Sequence, residues 1–316
     1  MRYVLRADAS QLIGSGHVMR SSAIAEELIT RGEEVLFVGA FSEVPWLASR
    51  MNVLGFSEIF HSPKIFISDP ANDVLILDSY IVPVDEEFIQ QKNWKRVVTI
   101  IDDLTPQYKS DLMVHPGLSV DWMRDTNTKV LAGPRYIPFR KSIEKNKNAV
   151  AGSTQLEILI IGGGTDAFNF GGAVSGVLSN IHDDFHARIL TGSNSLAKFD
   201  SRFTLVPIGS ELDVFAPTVE LVFTTASTTS LEFIAREVAV GIGCAVNNQE
   251  EYYETLSAAG VALPIGKLIE GSWEIDESKI IELVRSKECR EALRQKCVGL
   301  IDLKGAVRIV DEILKL

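Results

Sequence analysis

The chain has 316 residues, 46% hydrophobic and 23% charged, with 31 Lys and Arg against 42 Asp and Glu and a net charge of -11. That length suits two domains, each able to bury a core without staples. The acidic balance argues against a sequence-independent nucleic-acid binder, which needs a basic footprint. An anionic ligand stays possible, because a local backbone nest outweighs a distant field. The three cysteines, Cys244, Cys289 and Cys297, are scattered and make no C-x-x-C spacing. This speaks against a disulfide scaffold and for a reducing compartment. Charge arrives early, at Arg2, Arg6 and Asp8, so the start does not read as a signal peptide. No apolar run approaches the roughly 20 residues that span a bilayer. The expectation is a cytoplasmic protein with no stable membrane insertion.

In chain order, residues 3–7 read as a strand. Residues 17–30 read as a helix, with Met19, Ala23, Ala25 and Leu28 at helical spacing and Gly32 beyond its end. A strand at 34–38, a helix at 44–54, a strand at 74–78, a helix at 85–91 and a strand at 96–101 follow. The polar stretch 141–153 breaks this alternation and reads as an interdomain linker. The alternation then restarts. Strands are expected at 156–161, 187–190, 203–205, 221–224 and 238–242, and helices at 170–181, 228–236 and 250–259. Residues 276–316 read as helical with charged faces. Such alternation predicts α/β architecture with parallel, doubly wound sheets. Two Rossmann-like domains are expected, an N-terminal one at 1–145 and a C-terminal nucleotide-binding one at 146–316. The last helix is free to pack back on the N-terminal domain.

In parallel sheets, ligands sit beyond the carboxyl ends of the strands. The first such turn reads Gly14-Ser15-Gly16-His17. Its glycines let the backbone pass close to a ligand, and the N–H groups of the helix start face it. A helix-capping loop with an incidental histidine fits the same residues. Met19 stands where a third glycine of a dinucleotide fingerprint would fall, so a nicotinamide cofactor is not expected. Asp8, Asp78 and the pair Asp102-Asp103 close three strands at one sheet edge. Acids there accept hydrogen bonds from sugar hydroxyls or orient a histidine, and equally cap helices. No tight D-x-D triplet occurs, and no metal is expected.

In the second half, Gly162-Gly163-Gly164-Thr165-Asp166 follows a strand but lacks the Gly-Lys-Ser/Thr of a Walker loop. Thr224-Thr225-Ala226-Ser227-Thr228-Thr229-Ser230 opens a helix, where hydroxyls and unpaired N–H groups make an anion site. Glu232, one turn on, can take the two hydroxyls of a ribose. Thr229 and Glu232 also fit an ordinary capping box. Asn247-Asn248-Gln249 adds amide donors, or is a polar turn. His61 and His115 stand in loop-like sequence near prolines. His182 and His186 flank Asp183-Asp184 and read as a solvated turn rather than a metal site. Cys244 has no base beside it and reads as small and buried.

Several of these segments resemble one family. Arg6-Ala7-Asp8 followed by Ile13-Gly14-Ser15-Gly16-His17-Val18-Met19-Arg20 is similar to the opening of the UDP-sugar hydrolases of pseudaminic acid biosynthesis, a pattern shared by spore-coat polysaccharide proteins. Asp78-Ser79-Tyr80, Ile101-Asp102-Asp103-Leu104 and Gly133-Pro134-Arg135-Tyr136 follow in the family's order. Residues 225–232 and Asn248-Gln249 are also similar to the lipid II-forming glycosyltransferase. Val114-His115-Pro116-Gly117-Leu118 stands where the family has an Asn-rich segment. Gly162-Gly163-Gly164-Thr165-Asp166 departs from its Gly-Gly-x-Asp turn.

The resemblance implies a GT-B fold, two Rossmann-like domains facing across a cleft. It implies a UDP-sugar as small-molecule partner, no cofactor, and His17 as catalytic base. Asp8, Gly14, Ser15, Gly16, Arg20 and Tyr80 take substrate-pocket or supporting positions. Ser227, Thr228 and Thr229 take the diphosphate site and Glu232 the ribose, with Gly163 and Thr225 as further substrate-binding candidates. Asn248 and Gln249 border nucleotide and sugar. The expected reaction is hydrolysis at the anomeric carbon with inversion, releasing UDP and free sugar. A GT-B glycosyltransferase, with His17 deprotonating an acceptor hydroxyl, and a non-catalytic nucleotide-sugar binder are the alternatives.

Overall fold

A computed structural model describes residues 1–62, 69, 71–79, 94–102, 110–120, 128–145, 155–191 and 200–316. These divide into two compact units, Met1–Lys141 with Asp302–Leu316, and Ser142–Ile301.

In unit 1, β1 (Arg2–Ala7) leads through a glycine-bearing loop to α1 (Gly16–Thr30). Then come β2 (Glu34–Val38), α2 (Pro45–Asn52), β3 (Glu58–Phe60), β4 (Asp73–Asp78), β5 (Arg96–Ile100), β6 (Leu112–His115) and β7 (Lys129–Ala132). The seven strands found among the described residues pair in parallel, in the order β3-β2-β1-β4-β5-β6-β7. Strand β4 is buried on both faces, as its unbroken apolar run requires. Tyr3, Leu5, Phe37 and Ile76 of the sheet pack with Leu28 of α1.

Unit 2 repeats this plan. It holds β8 (Leu156–Ile161), α3 (Phe170–Ser179), β9 (Phe185–Thr191), β10 (Phe203–Pro207), β11 (Leu221–Thr225), α4 (Thr228–Ala235), β12 (Ala239–Cys244) and α5 (Glu250–Ala259). A hairpin of β13 (Leu263–Ile269) and β14 (Ser272–Ile275) follows, then α6 (Glu277–Arg285) and α7 (Lys287–Cys297). The order is β10-β9-β8-β11-β12-β13-β14, parallel except for the hairpin. Both sheets therefore reverse direction once, between β1 and β4 and between β8 and β11. At such switch points the chain leaves a crevice outside the carboxyl ends.

Past α7 the chain returns to unit 1 as α8 (Gly305–Ile313), which lays Ile309, Val310 and Ile313 into the core beside α1. Arg31, which caps the end of α1, pairs with Asp311 at 2.7 Å.

Some expectations change. The helical tail consists of three helices, interrupted around Ser286 and again after Cys297. Strands β6 and β7, four residues each, escape a periodicity reading. His115 is not in a loop but ends β6, fully buried. His186 is not in a turn but in β9, bonded to Glu157 and Thr204. The helix expected at 85–91 lies outside the described residues.

Candidate functional site

Two groups of residues sit at the two switch points. In unit 1 the loop after β1 folds on itself. Gly14 donates to the Ser10 carbonyl at 2.9 Å, with φ at +78°, a conformation glycine adopts without strain. α1 then starts at Gly16, and Ser15 makes no side-chain cap. His17, Arg20 and Ser21 stand at i, i+3 and i+4, on one helical face. All three reach the carboxylate of Asp78, the last residue of β4. His17 Nδ1 lies 2.6 Å from Oδ1, Arg20 Nε 2.7 Å from Oδ2 and Ser21 Oγ 3.1 Å from Oδ2. The sheet explains the meeting, because β1 and β4 are neighbours and Ala7 is paired with Asp78. Arg20 also spans to Asp102, just past β5, with Nη1 and Nη2 at 2.5 and 2.8 Å.

This cluster is out of water. His17 is 6% exposed and Asp78 not at all. Burial alone would raise the Asp78 pKa. The charges of Arg20 and His17 and their hydrogen bonds outweigh it and hold the carboxyl below its ordinary value. Burial likewise works against the Arg20 charge, but Asp102 and Asp78 overcome it and raise that pKa. His17 Nδ1 faces both the Asp78 carboxylate and, at 3.2 Å, Arg20 Nη2, and these contacts orient the imidazole ring.

Of the three strand-end acids, Asp78 holds His17 directly and Asp102 acts on it through Arg20. Asp8 accepts from Arg6, from the Ala40 amide at 2.8 Å and from Ser79 Oγ at 2.7 Å. It ties three loop starts together. Arg20 is likewise engaged inside the protein, by two carboxylates. Tyr80 lies outside the described residues.

In unit 2, Gly162, Gly163 and Gly164 leave β8, and a side chain at Gly163 would come 3.8 Å from Thr225 Oγ1 at the end of β11. The two strand ends are thus adjacent. Asp166 folds back over the turn: its carboxylate accepts from the Phe170 amide at 2.8 Å and sits where a Cβ on Gly162 would stand, 1.9 Å away. Burial outweighs the backbone hydrogen bonds and pushes its pKa up to about 6.

Ser227 caps α4, in a capping box with Ser230 and not, as the sequence pattern suggested, between Thr229 and Glu232. Thr225 is buried, and Ser227, Thr228 and Thr229 are half-buried at the helix start. Glu232, on the next turn, is buried and accepts from Arg236. Gln249 turns its side-chain oxygen to the Ala245 amide at 2.9 Å, while Asn248 is exposed. Sequence reading passed over Arg236 and Asp213. Arg236 was readable, four residues after Glu232, whereas Asp213 comes from a distant turn. Among the described residues no group of His, Cys, Asp and Glu suits a metal ion. No described helix is long and apolar enough to cross a membrane.

The architecture, two Rossmann-like α/β units of matching strand order, is the GT-B fold. No family model and no curated protein sequence matches the chain. Solved structures do. MurG of Acinetobacter baumannii superposes with a TM-score of 0.69 at 13% identity, over 100% of both chains. The calicheamicin glycosyltransferase CalG4 gives 0.64 at 12%, over 100% of this chain and 98% of its own. The spinosyn rhamnosyltransferase SpnG, complexed with thymidine diphosphate, gives 0.65 at 16%, over 98% and 100%. At these identities the likeness establishes the fold.

Proposed function

We propose that this chain is a glycosyltransferase that uses a nucleotide-diphosphate sugar, UDP-linked by the sequence resemblance, with His17 as its base. The observation that carries the reading is the 2.6 Å contact of His17 Nδ1 with Asp78, a histidine oriented by a buried carboxylate as a general base requires. The acceptor O–H gives its proton to Nε2. Its oxygen attacks the anomeric carbon opposite the diphosphate, and the bond to the diphosphate oxygen breaks with its electron pair. The anomeric centre inverts. The N–H groups and hydroxyls of Thr225, Ser227, Thr228 and Thr229, with the Gly163 turn, stabilise the departing charge. Glu232 takes the ribose, and Asn248 and Gln249 border the sugar. The glycosyltransferase neighbours on the same fold support transfer over hydrolysis.

A second reading makes water the acceptor, in a UDP-sugar hydrolase of the pseudaminic-acid type. The block Arg6-Ala7-Asp8 and Ile13 to Arg20 favours it, and so does the burial of His17, which suits a small nucleophile. One experiment separates the two. The protein is incubated with a panel of UDP-sugars, with and without candidate acceptors, and free UDP and the anomeric product are followed by NMR. Turnover that needs an acceptor supports transfer, and full turnover in water alone supports hydrolysis. UDP binding without turnover under every condition would overturn both.

A further inference from the structure

The turn after β8 holds an acid with no cation to balance it. Asp166 sits at a φ of +47°, and its half-buried side chain folds back over Gly162. Its Oδ1 accepts from the Phe170 amide at 2.8 Å, and the Gly171 amide lies 3.3 Å from Oδ2. Around the carboxylate stand Gly162 of the turn, Phe170 and Gly171 at the start of α3, and Ile189 of β9 beside Gly171. None of these titrates or carries a charge, and no charged side chain among the described residues acts on Asp166. The segment is also braced from outside. Trp273 of β14 donates from Nε1 to the Phe168 carbonyl at 2.8 Å, and its ring meets Phe170 edge-on at 5.0 Å. The carboxylate therefore has little room to swing away from a second negative charge. It responds through its proton instead. Burial already pushes its pKa up to about 6, so a modest further push moves that proton near neutral pH.

One residue on, a Cβ at Gly163 would stand 3.8 Å from Thr225 Oγ1, so Asp166 and the end of β11 flank the same turn. We propose that Asp166 makes diphosphate binding a proton-coupled step, in which the nucleotide enters as one proton passes from solvent to the Asp166 carboxylate. The proposal rests on the assignment of the diphosphate to the Gly163 turn and the start of α4 made above. A diphosphate there is a like charge beside a carboxylate partly removed from water, and a like charge favours the protonated acid. The proton settles on Oδ2, the oxygen with the longer amide contact, and Oδ1 keeps the Phe170 amide. A ligand that raises the pKa of a group binds more tightly once that group is protonated. Affinity is therefore highest below the pKa of the free protein. It falls as pH rises through that value, and levels off above the higher pKa of the complex.

The test is calorimetry of UDP binding from about pH 5 to pH 8, on the full chain and on Asp166→Asn and Thr229→Val. Buffers of different ionisation enthalpy count the protons taken up. The terminal phosphate of UDP itself titrates near pH 6, equally for every protein, so the difference from Asp166→Asn is what is read. An Asn at this position keeps the shape and still accepts from the Phe170 amide. Near neutral pH the intact protein is expected to take up about half a proton more per UDP than Asp166→Asn. Its affinity should fall about three- to tenfold further than that of the variant across the range. Carbon NMR of labelled Asp carboxyls reads the same event without a variant. The resonance that titrates near pH 6 should titrate at higher pH with UDP bound. Equal proton uptake and parallel affinity curves in the two proteins, or an unmoved carboxyl titration, overturn the proposal. If Thr229→Val nonetheless weakens UDP at every pH, the diphosphate site stands and only the part of Asp166 falls. If Thr229→Val binds UDP as the intact protein does, or no UDP binds at all, the diphosphate assignment falls as well.

Discussion

Asp78 and His17 stand 61 positions apart in the chain and 2.6 Å apart in space, joined at the switch point of the unit 1 sheet. The contact orients the imidazole ring, and under the proposed reading it favours a proton on Nδ1. Asp78→Asn keeps the shape of the site but offers an amide, which no longer favours a proton on Nδ1. Turnover is expected to fall about 10²- to 10⁴-fold, with UDP affinity nearly unchanged. His17→Asn should abolish turnover with the same binding. Steady-state rates beside UDP titrations check both, and an Asp78→Asn enzyme at full rate would remove the carboxylate from the mechanism.

Arg20 neutralises two acids at once. Removing it in Arg20→Met leaves Asp78 and Asp102 buried or half-buried without their cation, and unit 1 should lose about 3–5 kcal/mol. Urea unfolding of wild type and variant measures this. The wild-type pH dependence follows from the same pair. The Asp78 pKa is lowered in the folded state. Its stabilisation is therefore present above the unfolded value, and is lost as pH falls through the lower folded value. An unfolding free energy from Arg20→Met equal to that of wild type would refute the coupling.

Asp166 has the opposite sign. Its folded pKa is raised from 3.8 to about 6. Between those values the folded state binds more protons than the unfolded one, so Asp166 makes the protein more stable as pH falls through that window. Asp166→Asn removes the ionisation and is expected to melt higher than wild type above pH 6, the gain shrinking toward pH 4. Thermal melts across the window test it. A gain independent of pH would mean that the carboxyl titrates normally.

Ile309 of α8 is fully buried in the unit 1 core. Ile309→Ala should destabilise that unit by about 2–5 kcal/mol. Hydrogen exchange resolves the two units, and protection should fall across β1 and α1 while β8 and β11 keep theirs. Uniform loss through both units would show that they unfold as one.

Much of this arrangement is readable from residues alone. The runs ending at Ala7, Asp78 and Ile161, each bounded by a turn or an acid, announce parallel strands, and Gly14-Ser15-Gly16-His17 marks the turn that brings His17 to the end of the sheet. Pairing is harder to see. Which acid meets His17 depends on strand order, and nothing local separates Asp78 from Asp8 or Asp102, each of which ends or just follows a strand. The sheet decides, since β4 and β5 adjoin on one side of β1 and place Asp78 and Asp102 within reach of Arg20. Asp8 points toward Arg6 and Ser79 for the same reason. The box on α4 joins Ser227 to Ser230 because the helix begins at Thr228, two residues before the start that a Thr229–Glu232 box needs, and spacing alone does not fix that start.

The return of α8 to unit 1 also orders the birth of the protein. A chain emerging from the ribosome has every residue of unit 2 once Ile301 is made. Unit 1, begun first, still lacks Ile309, Val310 and Ile313 at that moment. Domains usually mature in the order they are synthesised. Here unit 2 completes ahead of unit 1, and the apolar flank of α1 waits for helix α8. That waiting surface is where a chaperone would be needed.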